Sequence, residues 1–289
     1  MGQTRELEYT IKVYGEGLTE WFYFDRLRNL NRFRFSLEPD MPKSSRSSYK
    51  QNLKLIEKEL RKKTEERADA IFLVIDTDTV THDKDQYRKY QETKEVYKAK
   101  GVTFIESYPC IELWFLYHLT EKFARTNYET FKELEPHIQK VLDGYSKTEK
   151  YYQSNSTFRS KILNDLSTRA QAINFSIQAC KYEPVAREMF NYTEVFKAIH
   201  FFRLLKKFSE LKSLLGEILR TSVSLRNDIS DHKSIKIFKE NQELCRFQYK
   251  GTQLRCICQD GTTYHVDDTI PLFIEETFIK KLSEVYRTL

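Results

Sequence analysis

Residues 70–78 read AIFLVIDTD, an unbroken apolar run that stops on two aspartates. Such a run, bounded by charged residues, predicts a strand buried on both faces, the kind found in the middle of a parallel sheet. Upstream, residues 7–13 alternate Tyr9, Ile11 and Val13 with polar partners and run into Gly15-Glu16-Gly17, which predicts a first strand ending in a turn of small residues. Thr19 stands where a helix cap is expected, and Trp21, Phe24, Leu27 and Leu30 then recur at near-helical spacing. Residues 32–37 predict a short second strand and 42–48 a polar loop. Residues 50–66, with Leu53, Ile56 and Leu60 set among charges, predict an amphipathic crossover helix. Downstream, a tyrosine-rich helix over 84–100 stops at Gly101, residues 102–105 supply a fourth strand, and Pro109 opens a helix through 119. Strands that alternate with crossover helices predict an α/β protein, a doubly wound parallel sheet flanked by helices.

The rest of the chain extends that core. From 121 to 205 the pattern is helical, with Phe196, Ile199, Phe202, Leu205 and Phe208 on one side of a long stretch. Residues 206–289 change character: 244–249, 253–258 and 262–266 predict short strands separated by Lys250-Gly251 and Asp260-Gly261, and a terminal helix follows from 274. The expected organisation is therefore a core over 1–120, a helical extension over 121–205 and a small C-terminal α+β region over 206–289. The 289 residues carry 48 Lys plus Arg against 42 Asp plus Glu, and the resulting +6 permits a nucleic-acid partner without requiring one. No apolar run approaches the roughly 18 residues that cross a bilayer. MGQTRELEY has no apolar leader core and places Glu6 where a myristoylation signal wants Ser or Thr, so a cytoplasmic chain is expected. Five widely spread cysteines, an odd number, point to reduced thiols.

In an open parallel sheet, ligands bind beyond the carboxyl ends of the strands, and here those ends are acidic. Strand one ends at Glu16, with Glu20 one turn into the next helix; strand three ends at Asp76 and Asp78; strand four leads to Glu112. Alternation would put Asp76 and Asp78 on one side of an extended segment, which suits two oxygen ligands on one hard cation. A lone DxD is usually a solvated turn, and Glu112 alone could sit on a wet helix face. Arrival of acids at three strand ends together favours a magnesium site, with Mn2+ as the alternative ion, for phosphodiester chemistry. Without a metal such crowding is electrostatically costly.

GEGLTE at 15–20, DTD at 76–78 and SYPCIELWFLYHL at 107–119, followed by YSKTEKYY at 145–152 and NYTEVFKAI at 191–199, resemble the RloB-like family, a bacterial group with a Toprim-type fold. The resemblance spans about residues 1–205. It implies the scaffold shared by topoisomerases, primases and OLD-family nucleases, in which Glu16 would serve as general acid or base and Asp76 and Asp78 would hold magnesium. It also implies an anti-phage role beside an ABC- or AAA-type ATPase. This chain departs from the family pattern at Tyr108, where Asn is usual. On this basis the expected activity is metal-dependent nucleic-acid cleavage in an abortive-infection system. Glu16, Glu20 and Glu112 would handle protons and water, and Glu16, Asp76, Asp78 and Glu112 would surround the ion. The alternative is a noncatalytic adaptor or sensor that docks on the ATPase. A homo-oligomer is compatible with either.

Other motifs carry less. Lys43 and Arg46, and the run 61–63, could contact phosphates but are more often solvated faces. His118 is expected to pack. Cys245, Cys256, Cys258 and His265 have zinc-ligand types without zinc-ligand spacing, so buried strand cysteines are expected. LRNDISDH at 225–232 places Arg226 and His232 with five residues between them, near the end of a helical stretch. This resembles the R-x4-6-H motif of HEPN ribonucleases, which implies an alternative, metal-independent RNase site.

Overall fold

The computed structural model describes residues 9–40, 48–181, 190–203 and 205, and beyond these five strands, with Gly261, between 225 and 265. Two compact units divide the chain: residues 11–199, and residues 1–10 with 200–289. In the first unit the elements run β1 (Ile11–Tyr14), α1 (Leu18–Asn31), β2 (Ser36–Glu38), α2 (Tyr49–Leu60), β3 (Ala70–Asp76), α3 (Asp78–Thr81), α4 (Lys84–Ala99) and β4 (Val102–Tyr108). There follow α5 (Glu112–Leu119), α6 (Phe131–Val141), α7 (Glu149–Ser154), a π-helix (Phe158–Asn164), α8 (Leu166–Cys180) and β5 (Tyr192–Thr193). The sheet order is β2-β1-β3-β4-β5. The first four strands pair in parallel, with Val13 opposite Phe72 and Leu73 opposite Phe104, while β5 pairs antiparallel with the end of β4. The chain is thus an α/β protein of Toprim-like pattern, a mostly parallel sheet flanked by helices.

Strand β3 sits at the centre, buried from Ala70 to Ile75. On one face Ile71, Leu73 and Ile75 pack with Leu53 and Ile56 of α2, Tyr90 of α4 and Phe104 of β4. Elsewhere aromatic rings tie α1, α5, α7 and the π-helix together: Tyr23 lies 5.6 Å from Phe115, Phe115 5.1 Å from Phe158, and Tyr152 5.3 Å from both Phe22 and Phe158. Large aromatic areas leaving water provide much of the driving force. His118 packs as expected. It is buried edge-on to Trp114, with Nδ1 3.2 Å from Thr168 Oγ1, and burial beside Arg169 lowers its pKa to about 3.

Several boundaries differ from the sequence expectation, each for a local reason. Residue 32 belongs to a helix end, not a strand: Arg32 has φ 55°, and Phe33 N–H bonds back to Arg28 O. Helix α2 stops at Leu60, not 66, because residues 63–67 form a turn that brings Ala68 N–H to Glu59 Oε1. Pro109 does not open α5, which begins at Glu112. Pro109 O instead accepts Asp78 N–H, and Ile111 N–H is spent on Asp76 Oδ1. The stretch read as wholly helical contains β5.

The second unit holds a five-stranded antiparallel meander, β6 (Leu225–Asp228), β7 (Ser234–Lys239), β8 (Gln242–Lys250), β9 (Gln253–Cys258) and β10 (Thr263–His265), in the order β10-β9-β8-β7-β6. The three strands expected from sequence are present, and β6 and β7 join them. Arg226 therefore lies on a strand opposite Phe238, not on the helix that a HEPN-type site needs. His232, Lys43, Arg46 and the terminal helix lie outside the described residues.

Glu106 on β4 is a buried charge with every partner in place. Its Oε1 accepts from Tyr90 Oη and, at 2.7 Å, from Lys94 Nζ, while Oε2 accepts from Tyr192 Oη at 3.0 Å. Removing the acid leaves a half-buried ammonium and two hydroxyls without their acceptor. Glu106→Ala should cost about 3–5 kcal/mol, read from the urea midpoint at constant slope. A loss below about 1 kcal/mol would show that the network is dispensable.

Candidate metal centre

The parallel strands β1, β3 and β4 all end on one side, and a cavity of about 1160 Å³ opens there. Glu16, Glu20, Asp76 and Asp78 line it together. Glu16 lies in the turn after β1, where Asn52 Nδ2 of α2 holds Gly15 O at 3.0 Å. Its Oε2 accepts the Asp76 N–H at 3.4 Å, which joins the ends of β1 and β3. The turn is close to Glu20: a Cβ at Gly17 would meet Glu20 Oε2 at 3.1 Å, which the carboxylate could relieve by a small shift, and one at Gly15 would meet the less mobile Glu20 Cβ at 3.1 Å. Asp76 and Asp78 do not share an extended segment. Thr77 is helical, and Asp78 opens α3 with its N–H on Pro109 O at 3.3 Å.

Glu112 is fully buried and does not line the cavity directly. Its Oε1 accepts from Thr19 Oγ1 at 3.0 Å, Tyr145 Oη at 2.8 Å and Lys147 Nζ at 2.8 Å. Tyr152 Oη lies 2.8 Å from both Thr19 Oγ1 and Tyr145 Oη, closing a ring of four oxygens. With Glu112 ionised, the three hydroxyls supply three protons for four contacts. Thr19 and Tyr145 both donate to the carboxylate, so Tyr152 divides one proton between two acceptors. Thr19 thus serves Glu112, and no side chain caps α1. Lys147 lies on the cavity wall, its ammonium 3.7 Å from the Phe131 ring centre. The loop that carries it is set by Gln139 Nε2 on Tyr145 O and by the Thr148 cap of α7.

The electrostatics are those of crowded acids. Burial first, then the neighbouring Glu20, pushes Glu16 up to about 8. Burial, Glu20 and Glu112 raise Asp76 well above its ordinary value. Burial also opposes charge on Glu112, but Lys147, the Cys110 thiol and Tyr145 together hold its pKa below normal. Burial opposes charge on Lys147 too, and Glu112 reverses this and raises it. Of the residues singled out from sequence, Glu16, Glu20, Asp76 and Asp78 converge in the cavity, and Glu112 sits beneath as the anchor of Lys147. Lys147, Tyr145, Tyr152 and Thr19 are additions. Their trace in the sequence is the YSKTEKYY run, in which a lysine stands among tyrosines that prove buried. Lys50, Lys89 and Lys132 also line the cavity, and none of them makes an ion pair among the described residues.

The donor set fits a hard divalent cation: clustered carboxylates with raised pKa values, and a buried Glu112 Oε2 that has no N–H or O–H donor. A model of the RloB-like protein family matches residues 11–202, more than half of the chain, and the chain belongs to that family. No curated protein and no solved structure matches it significantly.

Glu16 has a folded-state pKa near 8 against an ordinary 4.5. Below about pH 4.5 folded and unfolded chains both hold the proton, and between 4.5 and 8 only the folded chain does. Stability from this group therefore falls as pH rises through that window and is least above pH 8. In chelator, Glu16→Gln should stabilise the chain by about 1–3 kcal/mol at alkaline pH and by almost nothing at acid pH, measured by urea unfolding. An equal gain at both ends would assign the effect to packing.

Proposed function

We propose that this member of the RloB-like family is a Mg2+- or Mn2+-dependent nuclease that cleaves phosphodiester bonds in nucleic acid. The observation that carries the proposal is the convergence of Glu16, Glu20, Asp76 and Asp78 in one cavity whose wall holds Lys147 and whose lining adds Lys50, Lys89 and Lys132. Acids without cations would suit a solvated surface, and cations without acids would suit plain phosphate binding. Their combination suits phosphate chemistry.

Asp76 and Asp78, with Glu16 and Glu20 beside them, would hold the ion. When bound, it would polarise a phosphoryl oxygen and make water a better nucleophile. The Glu16 carboxyl, poised near neutrality, is suited to exchange a proton with the attacking water or the departing oxygen. Lys147 places a fixed positive charge at the cavity wall, where it can offset charge on the substrate phosphate. Lys50 on α2, Lys89 on α4 and Lys132 on α6 would grip flanking phosphates. The family resemblance adds an ATPase partner and an anti-phage effector role to the proposal.

Full-length protein assayed with its ATPase partner on DNA and RNA should cleave with Mg2+ or Mn2+, and EDTA should abolish cleavage. Glu16→Gln and Asp76→Asn should each lower the rate by about 100-fold or more while the protein remains folded. Absence of cleavage under all these conditions would favour a noncatalytic adaptor. EDTA-resistant RNA cleavage lost in Arg226→Ala or His232→Ala would move the chemistry to the C-terminal unit.

A further inference from the structure

We propose that Cys110 is a metal ligand, and that Asp76, Cys110 Sγ and Glu112 Oε2 form a thiolate-containing subsite on the cavity floor for a transition-metal dication such as Co2+ or Zn2+. The proposal rests on the acidic cavity being a metal centre and adds to it a site of different chemistry. One ligand atom from each of these three residues lies within 4.8 Å of the others. Around a tetrahedral cation, an oxygen at about 2.1 Å and a sulfur at about 2.3 Å stand about 3.6 Å apart, so the three would draw together by up to about 1 Å on closing around an ion.

Two independent features point to a ligand at this place. Glu112 is completely buried, its Oε1 already serves three donors, and its Oε2 has no N–H or O–H donor, the weakly donating Cys110 thiol being the further group that supports its charge. A buried anionic oxygen left in that state is costly, and a cation would satisfy it. Cys110, meanwhile, is only 1% exposed yet borders the cavity, a space that opens to water. A buried cysteine is ordinarily a small apolar filler. This one instead has two carboxylates, Glu112 and Asp76, for neighbours, where an apolar filler gains little and a sulfur ligand has a use.

The three residues are held from the backbone. Ile111 N–H fixes Asp76 Oδ1 at 2.8 Å, Leu113 N–H bonds Cys110 O at 3.1 Å, and Asp78 N–H bonds Pro109 O. Lys147 occupies Oε1 and leaves Oε2 open. Binding would exchange the thiol proton for a sulfur–metal bond, and the proton would leave to water in the cavity. Sulfur ligation discriminates against Mg2+, so the floor subsite and the oxygen-only group of Glu16, Glu20 and Asp78, with Asp76 shared between them, would prefer different ions.

Cobalt titration of the full chain, followed by calorimetry and absorption, tests this. Binding should bring up a near-ultraviolet sulfur-to-cobalt charge-transfer band. In Cys110→Ser, and equally in Cys110→Ala, the band should vanish and Co2+ affinity should fall about tenfold or more, with Mg2+ affinity changed less than about threefold. A chain with Cys180, Cys245, Cys256 and Cys258 changed to serine should keep the band, and its cobalt X-ray absorption should show sulfur at about 2.3 Å. Cobalt bound without a band, or a band undiminished in the Cys110 variants, overturns the subsite but leaves the oxygen centre standing. A wild-type chain that binds neither Mg2+ nor Co2+ overturns both.

Discussion

Carboxylates forced together out of water set the terms for this structure. Glu16, Glu20, Asp76 and Asp78 meet where three parallel strands end, with Glu112 beneath them. In bulk water two such charges at 4 Å would repel by about 1 kcal/mol, and partial burial multiplies that figure several-fold. The protein answers in two ways. Lys147 holds Glu112 ionised from within 2.8 Å, while Glu16 and Asp76 have raised pKa values and so tend to keep their protons. One acid is permanently compensated, and the others stay responsive to whatever positive charge arrives.

That division depends on the hydroxyl ring around Glu112. Thr19 comes from α1, Glu112 from α5, and Tyr145 and Tyr152 from the segment between α6 and the π-helix. Burial and the carboxylate raise both tyrosines well above their ordinary values, so they remain donors at any physiological pH. The ring therefore fixes Glu112, Glu112 fixes Lys147, and the ammonium takes a set place on the cavity wall. A lysine without such an anchor has four rotatable bonds and a large entropy to lose on meeting a substrate.

What could be read from the chain divides along the same line between local and distant interactions. AIFLVID is a strand because its own six apolar side chains need two covering layers, and Asp76 marks its end because the next three residues, Thr77, Asp78 and Thr79, are all polar. Such signals survive in sequence, and the same holds for α4, whose tyrosines and lysines recur with helical period up to Gly101. Thr19 was misplaced as a cap because capping is a nearest-neighbour rule, whereas its actual acceptor lies 93 residues away. Lys147 carried no signal by itself, since an exposed-looking lysine in YSKTEKYY acquires meaning only when folding lays it on Glu112. Strand β5 is two residues long, too short for any periodicity, and exists because the end of β4 offers Ser107 and Tyr108 as partners. Strand β6 was read as helical because LRND has no alternation strong enough to oppose a helix, and pairing with β7 decides the matter.

The placement of the acids also explains why a rigid sheet must carry them. Glu16 follows β1, Asp76 closes β3 and Asp78 follows it, where the backbone turns and N–H groups become available: Asp76 N–H to Glu16, Ile111 N–H to Asp76. These bonds orient the carboxylates without neutralising them. Were the same residues on mobile loops, repulsion would simply spread them apart, and the cavity would lose its charge density. Held at the ends of β1, β3 and β4 and in the helices that follow them, by the burial of residues such as Val13, Leu73 and Ile105, they are kept together. The hydrophobic core therefore keeps the strained charge arrangement in place, and a bound cation would relieve the strain.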